Sequence, residues 1–407
     1  MRLDNHSYSP SVLQKIAEAT ARLPSAADAA FALGLADIKI SSRHVQRISG
    51  EIGSELIEKR DHKVAQQLCQ ELPVRVVDTP EVVAVEVDGG RLRTRAADCG
   101  PGVHQAQNKE DKLACLVSLK SEVSKHDPQP EPPPSFREPR RVQRLVQQMK
   151  GLSGDPPPEE AAEEKEPPPK QAKAKKTQGP QRQVRTCVAS MAECHTFGPM
   201  VAAEAQERGF YQAKRRAYVG DGAAYNWSIH EEHFSDFEPI TDFLHVLCYV
   251  YGAAWGVGNT DEQRWSIYEK WMRACWQGHV VEVIKELNVC QVQMGVPPVG
   301  EKLDKKDPRR LVADALSYLG NNQNRMDYAR YRRRGLPITS SLVESLVGEF
   351  NARVKSRQKF WNRAEGAEIG GAEIILQLRA AFLSEDDRLA RFFAERPGNP
   401  YHNRKVA

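Results

Sequence analysis

Two short apolar runs, Val82-Val-Ala-Val-Glu-Val-Asp88 and Ala217-Tyr-Val-Gly-Asp221, each stop at an aspartate. Runs of this length, rich in valine, read as strands. Acids at their ends fit a fold in which the strand termini meet at one end of a sheet. A third acid, Glu344, opens an amphipathic helix. Val343, Leu346, Val347, Phe350 and Val354 share one face of that helix, which puts Glu344 and Asn351 on its margin, where helix meets sheet. Three carboxylates converging from distant parts of a chain suit hard divalent cations, which take oxygen ligands. Taken singly, each has a plainer reading. Asp88 before Gly89-Gly90 makes a turn, Asp221 before Gly222 caps a helix, and Glu344 three residues after Ser341 completes a capping box.

A chain of 407 residues with 40% apolar content can bury more than one core, and its length suggests two or three domains. The 58 Lys and Arg against 54 Asp and Glu leave a formal charge of +4, which permits a polyanionic partner without demanding one. Eight cysteines show no C-x-x-C pair and no regular spacing, so they read as reduced thiols rather than as a zinc site or a disulfide framework. No signal-like segment follows Met1, and nowhere do about 18 uncharged apolar residues run together. The expectation is a soluble, cytoplasmic protein.

Residues 9 to 70 read as helices, with Ser25 and Ser41 or Ser42 as caps. A short helix, a turn at Gly34 and a helix opening Ser-Arg43-His-Val-Gln-Arg47 suit a helix-turn-helix; a plain three-helix bundle is the alternative. Strands follow from Val82 to Thr94 and over Leu113 to Leu119, with Gly89-Gly90 as a break. Between Asp127 and Pro180 lie 13 of the 26 prolines, beside acidic and basic runs. Such a stretch buries too little apolar surface to offset its ordering entropy, so 126 to 183 reads as disordered, apart from a short helix over Val142 to Met149. Order resumes with a strand at Arg185, a helix near Met200 to Arg208, the strand carrying Asp221, a helix over 222 to 234 and a strand at Phe237-Glu-Pro-Ile. Helical periodicity then runs from about 259 to 330. Within it Trp265, Tyr268, Trp271 and Trp276 read as a local core, with base stacking as the sharper alternative.

Three strings occur together: Val85-Glu-Val-Asp-Gly-Gly-Arg-Leu-Arg-Thr-Arg95, Val219-Gly-Asp-Gly-Ala-Ala-Tyr225, and Gly335-Leu-Pro-Ile-Thr-Ser-Ser-Leu-Val-Glu-Ser345 with Trp361 and Gly371-Ala-Glu-Ile-Ile-Leu-Gln-Leu-Arg379. In this order they resemble bacterial insertion-sequence transposases of the DDE class, closest to the Kra-type family. The resemblance runs from about Tyr8 to Phe393, broken only by the proline-rich tract. It implies an α/β fold: an RNase H-like mixed-sheet catalytic core, an N-terminal helical domain of helix-turn-helix type, and an all-helical insertion between the second and third acids. The 123 positions from Asp221 to Glu344 leave room for that insertion.

The implied domains are 1–70 for DNA binding, 80–125 with 184–258 for the first parts of the core, 126–183 as a disordered tract, 259–335 as the insertion, 336–393 as the core's C-terminal helices, and 394–407 as a tail. Asp88, Asp221 and Glu344 become the catalytic and metal-binding triad for two magnesium or manganese ions. Asp242-Phe-Leu-His245 resembles a D-x-x-H signature found after the second acid in several DDE families, and Asn351 joins Asp242 and His245 as active-site support. This chain has Thr339-Ser-Ser341 where the family usually has Gly-Ser-Gly.

Basic residues flank the third acid, as a phosphate-holding face requires. Arg332, Arg333 and Arg334 precede it; Arg353, Lys355 and Arg357 follow, with Lys355 nearest to Glu344 and Asn351 on the helical wheel. With Arg43 and Arg47 they are the candidate DNA contacts. The partners implied are the double-stranded terminal inverted repeats of an element, target DNA, and a second copy of the chain as a homodimer on DNA, with no membrane and a nucleoid location. The activity implied is cleavage at element ends and joining of 3′ hydroxyls to target DNA. A DNA-binding regulator descended from a transposase and a structure-selective RNase H-like nuclease are the alternatives.

Overall fold

The computed structural model of the chain describes residues 8–95, 107–150, 179–297, 303–355, 361–362 and 370–396, with the backbone alone at 341–345 and at Arg95, Gln107, Gln148, Lys150 and Asn362. Strand β1 (Val82–Arg95) organises the sheet. On one side it lies antiparallel to β2 (Gln107–Lys120), which is antiparallel to β3 (Gln181–Ser190). On the other it runs parallel to β4 (Arg215–Gly220), which is parallel to β5 (Glu238–Thr241). The order is therefore β3-β2-β1-β4-β5, with the two-residue β6 (Trp361–Asn362) against the far end of β1.

Val82 to Val85 and Val87 are all buried, because β1 is covered on both faces, and such a strand reads as a continuous apolar run. One corrected expectation concerns Gly89-Gly90, which do not break the strand: the ladder continues to Thr94 opposite Gln107. Gly90 lies beneath the carboxylate of Asp111, its partner on β2, and a Cβ there would approach Asp111 Oδ1 to 2.6 Å. Glycine here makes room for a neighbour; it does not make a turn.

Helices cover both faces. α1 (Pro10–Arg22), α2 (Ala26–Leu35) and α3 (Ser42–Leu68) open the chain, and the Ser25 and Ser41 hydroxyls accept the amides of Asp28 and His44. Leu13, Ile16, Val45, Ile48 and Ile52 belong to the same apolar cluster as Val82, Ala84 and Leu113 of the sheet. These three helices pack on one another, and α1 and α3 on helix Gly371–Leu383, which lies against β3, so their apolar residues are continuous with the core of the sheet. On the opposite face α5 (Cys194–Glu207) and α6 (Ala224–His233) pack Phe197, Val201 and Trp227 against Val83, Val85 and Val87.

The proline-rich region differs most from its reading. Asp127 pairs with Arg332, Trp276 Nε1 donates to the Gln129 carbonyl at 2.8 Å, and Tyr268 donates to the Phe136 carbonyl at 2.9 Å. Phe136 packs against the rings of Phe243 and Trp276 at 5.7 and 6.1 Å. Helix α4 (Pro139–Lys150) then buries Val142 and Val146 against α7 (Phe243–Val257). The expected disorder is thus corrected for 126–150, since a few apolar side chains docking on another element supply what the tract lacks by itself, and for 181–183, which begin β3; 151–178 lie outside the described residues.

Beyond α7, residues 261 to 333 form α8 (Asp261–Trp276), α9 (Val280–Met294), α10 (Pro308–Asn322) and α11 (Tyr328–Arg333). Tyr268, Trp271 and Trp276 are buried there, the local-core reading of this aromatic series. α12 (Ser341–Val354) lays Leu346, Phe350 and Val354 on β1 and β2, followed by α13 (Gly371–Leu383) and α14 (Arg388–Ala394). Among the described residues no helix is long and apolar enough to cross a membrane, and the seven described cysteines are free.

Candidate active site

The parallel ladders set the site. Val87 lies beside Gly220, and Gly220 beside Thr241, so the residues that follow form one row: Asp88, midway along β1 where its pairing with β4 stops, and Asp221 and Asp242, just past the ends of β4 and β5. Asp88 Oδ1 accepts the Gly89 amide at 2.7 Å. Burial, and then the charge of Asp221, push the Asp88 carboxyl up to about 6. Asp221 Oδ1 accepts the Ala223 amide at 2.9 Å and Asn226 Nδ2 at 2.7 Å. Tyr318 donates to the Asp221 carbonyl at 2.8 Å. Gly222 follows at φ +94°, and a Cβ on it would fall 2.6 Å from the Tyr318 ring, so both backbone and space require glycine.

Asp242 is fully buried and fully engaged. Its Oδ1 accepts the amides of Leu244 at 3.1 Å and Ser340 at 3.0 Å, and its Oδ2 lies 2.7 Å from His245 Nδ1. Burial works against the imidazolium of His245, but the hydrogen bond and charge of Asp242, reinforced by Asp221 and Asp88, overcome it and raise His245 to about 9. Burial likewise opposes ionisation of Asp242, yet His245 and the two amides hold it below the usual carboxylate range. The pair is a buried carboxylate–imidazolium couple whose cation faces the other two acids.

The Ser340 bond joins the row to the third acid. Ser340 is the N-cap residue of α12, and Phe243 donates to the Ile338 carbonyl at 3.0 Å, so the entrance of α12 runs against the end of β5. The cap falls on Ser340, one residue before the serine of the expected capping box, and its amide is received by Asp242. Glu344 lies in the first turn of this helix; its side chain is outside the described residues. Asn351, two turns on, is half-buried with no partner for Oδ1 among the described residues, and Lys355 at the C-cap is exposed.

Among the described residues no three His, Cys, Asp or Glu side chains form a metal-holding group. Asp88 and Asp221 nonetheless offer only hard oxygen donors, and their mutual repulsion is what a divalent cation would relieve. No family model matches the chain, and no curated protein matches it.

Three residues at the site escaped the sequence reading. Asn226 is wholly buried and holds Asp221; a polar residue near the start of a helix after a strand-end acid is the signal that would have found it. Tyr318 arrives from α10, and no local pattern points to it. Asp111 shares a sheet face with Asp88, since its partner Gly90 is two residues along β1. It is fully buried, neither oxygen has a partner among the described residues, and burial raises its pKa against the pull of Lys355.

The candidate DNA contacts separate into two groups. Arg332 is buried, forks onto Asp127 and stacks on Trp276 with its carbon 4.2 Å from the ring centre. Arg353 is buried and donates to the carbonyls of Thr20 and Pro24 at 2.8 and 3.0 Å. Arg334 pairs with Glu238. Arg332 and Arg353 are corrected to structural roles, because a buried guanidinium consumed by tertiary partners cannot reach a phosphate, whereas Arg334 keeps 39% of its side chain exposed. Arg47 is exposed but bound to Glu51 at 2.5 Å, while Arg43, Arg333 and Lys355 are exposed. Arg357 lies outside the described residues.

Proposed function

We propose that this chain is a DNA transposase of the DDE class, built on an RNase H-like core, that cuts the ends of an insertion element and joins the freed 3′ hydroxyls to target DNA. The observation that carries the reading is the meeting of Asp88, where the parallel pairing of β1 with β4 stops, and Asp221, just past the end of β4, with the entrance of the Glu344 helix tethered to the same row through Asp242. The strand order, antiparallel over β3-β2-β1 and parallel over β1-β4-β5, supports it.

Asp88, Asp221 and Glu344 would hold two magnesium or manganese ions, which activate an attacking water or 3′ hydroxyl and neutralise charge on the leaving oxygen. The separation of Asp88 and Asp221 is set by the backbone ladder, so the ligands are organised before substrate arrives. His245, whose pKa Asp242 and the charges of Asp221 and Asp88 raise against burial, stands beside the two acids, and Asn226 fixes the rotamer of Asp221. Double-stranded DNA is the partner, and pairing two element ends calls for two copies of the chain.

The test is incubation of the purified protein with duplexes carrying its flanking element ends and magnesium, followed by mapping of cut and joined strands. Asp88→Ala, Asp221→Ala and Glu344→Ala are each expected to abolish cleavage while DNA binding survives. Cleavage retained in any one removes that residue from the mechanism. Cutting of branched or hybrid substrates without joining would favour a nuclease, and end binding without cutting a regulator.

A further inference from the structure

With Arg332, Arg334 and Arg353 held by tertiary partners, the positive charge free to meet a polyanion lies elsewhere. The densest group on one element is on α4, where Arg140, Arg141 and Arg144 are all exposed and none has a hydrogen bond or ion pair among the described residues. Arg137, just before the helix, is turned to Glu269 at 3.6 Å. The helix itself, Pro-Arg-Arg-Val-Gln-Arg-Leu-Val-Gln-Gln-Met-Lys, contains no acid, although Glu138 precedes it. Its apolar side is occupied: Val142 and Val146 are 1% and 3% exposed, and Leu145 and Met149 pack beside them. At about 100° per residue, Arg140 and Arg144 point roughly 160° away from Val142, so the cations stand on the outer face of a firmly seated helix.

The position of the helix gives this charge a use. Cys248 Sγ lies 3.7 Å from Met149 Sδ, and Cys248 is one turn beyond His245 on α7. The C-terminal end of α4 therefore reaches the helix that leaves the acid row. We infer that the outer face of α4 is a docking surface for the phosphodiester backbone of double-stranded DNA, leading the duplex toward Asp88 and Asp221. The inference rests on the reading under Proposed function and adds to it an element that its residue pattern alone did not nominate. Arginine suits the role, because its planar fork matches phosphate oxygens and holds its charge at every relevant pH. Contacts of this kind attract any sequence equally and are weakened by salt.

The experiment compares the full chain with its Arg140→Ala/Arg141→Ala/Arg144→Ala variant, measuring duplex affinity across a salt series without divalent cations. Alanine keeps the helix and the substituted positions are exposed, so an unchanged melting temperature is the fold control. Each lost phosphate contact should flatten the slope of log affinity against log salt by about 1, or about 3 for the triple variant, with equal weakening on unrelated sequences. Lys305→Ala/Lys306→Ala, removing exposed charge ahead of α10, should change the slope by less than about 1. An unchanged slope in the triple variant, or an equal fall in the control, overturns the α4 assignment alone. A wild-type chain with no duplex binding overturns the DNA reading of the function as well.

Discussion

Asp242 illustrates how much one carboxylate can organise. Its Oδ1 receives Leu244 and Ser340, and its Oδ2 holds His245. Asp242→Asn keeps an oxygen for the two amides and loses only the charge opposite His245, whereas Asp242→Ala removes both functions. Asp242→Ala should speed hydrogen exchange at the Ser340 amide and, on the proposed function, lower cleavage, while Asp242→Asn leaves the exchange near wild type; equal exchange in both would dissociate Asp242 from the seating of α12. At this scale Asp88 and Asp221 were readable, because a valine run and its terminal aspartate are neighbours in sequence. Asn226, Asp111 and Tyr318 were not, since their positions depend on register and on helices arriving from elsewhere. The same holds for Arg332 and Arg353, whose partners Asp127 and Thr20 lie 205 and 333 residues away.

At the scale of elements, periodicity was the reliable signal and docking the unreliable one. The spacing of Val142, Leu145, Val146 and Met149 is visibly helical, but nothing in it tells that α7 offers a groove to receive them. Gly89-Gly90 misled for the converse reason: glycine signals a break unless a neighbour, here Asp111, needs the space. Trp271 of α8 is 3% exposed and donates from Nε1 to Glu286 of α9 at 2.7 Å. Trp271→Ala should cost about 3–5 kcal/mol, the range for truncating a large buried aromatic, read as a lowered denaturation midpoint. A stable variant impaired only in processing DNA ends would instead assign Trp271 to base stacking.

For the whole molecule, the alternation of strands and helices carried the α/β class, while the sharing of a core between the N-terminal helices and the sheet was hidden, because each helix face is apolar whichever partner it meets. Charged groups fasten the same junction. Glu204 of α5 is buried between Lys63 of α3 and Arg388 of α14. Burial disfavours its ionised form, but Arg388 and Lys63 outweigh this and hold it at about 2. Since this folded-state value lies below the ordinary one of 4.5, the stabilisation is complete above about pH 4.5 and disappears as pH falls toward 2. Urea midpoints measured from pH 6 downward should drop through that window, and Glu204→Gln should flatten the drop.

The hydrogen bond from Ser340 to Asp242 spans 98 residues, with α7 to α11 between its ends. Bringing such distant points together as a loose coil is entropically slow, and compact intervening helices shorten the span that must be closed. The order of assembly follows: the sheet and its two strand-borne acids can form early, whereas the Glu344 helix finds its seat only after the intervening helices have folded. On the proposed function, a chain emerging from the ribosome would complete the site only once the helix bearing Glu344 had been made.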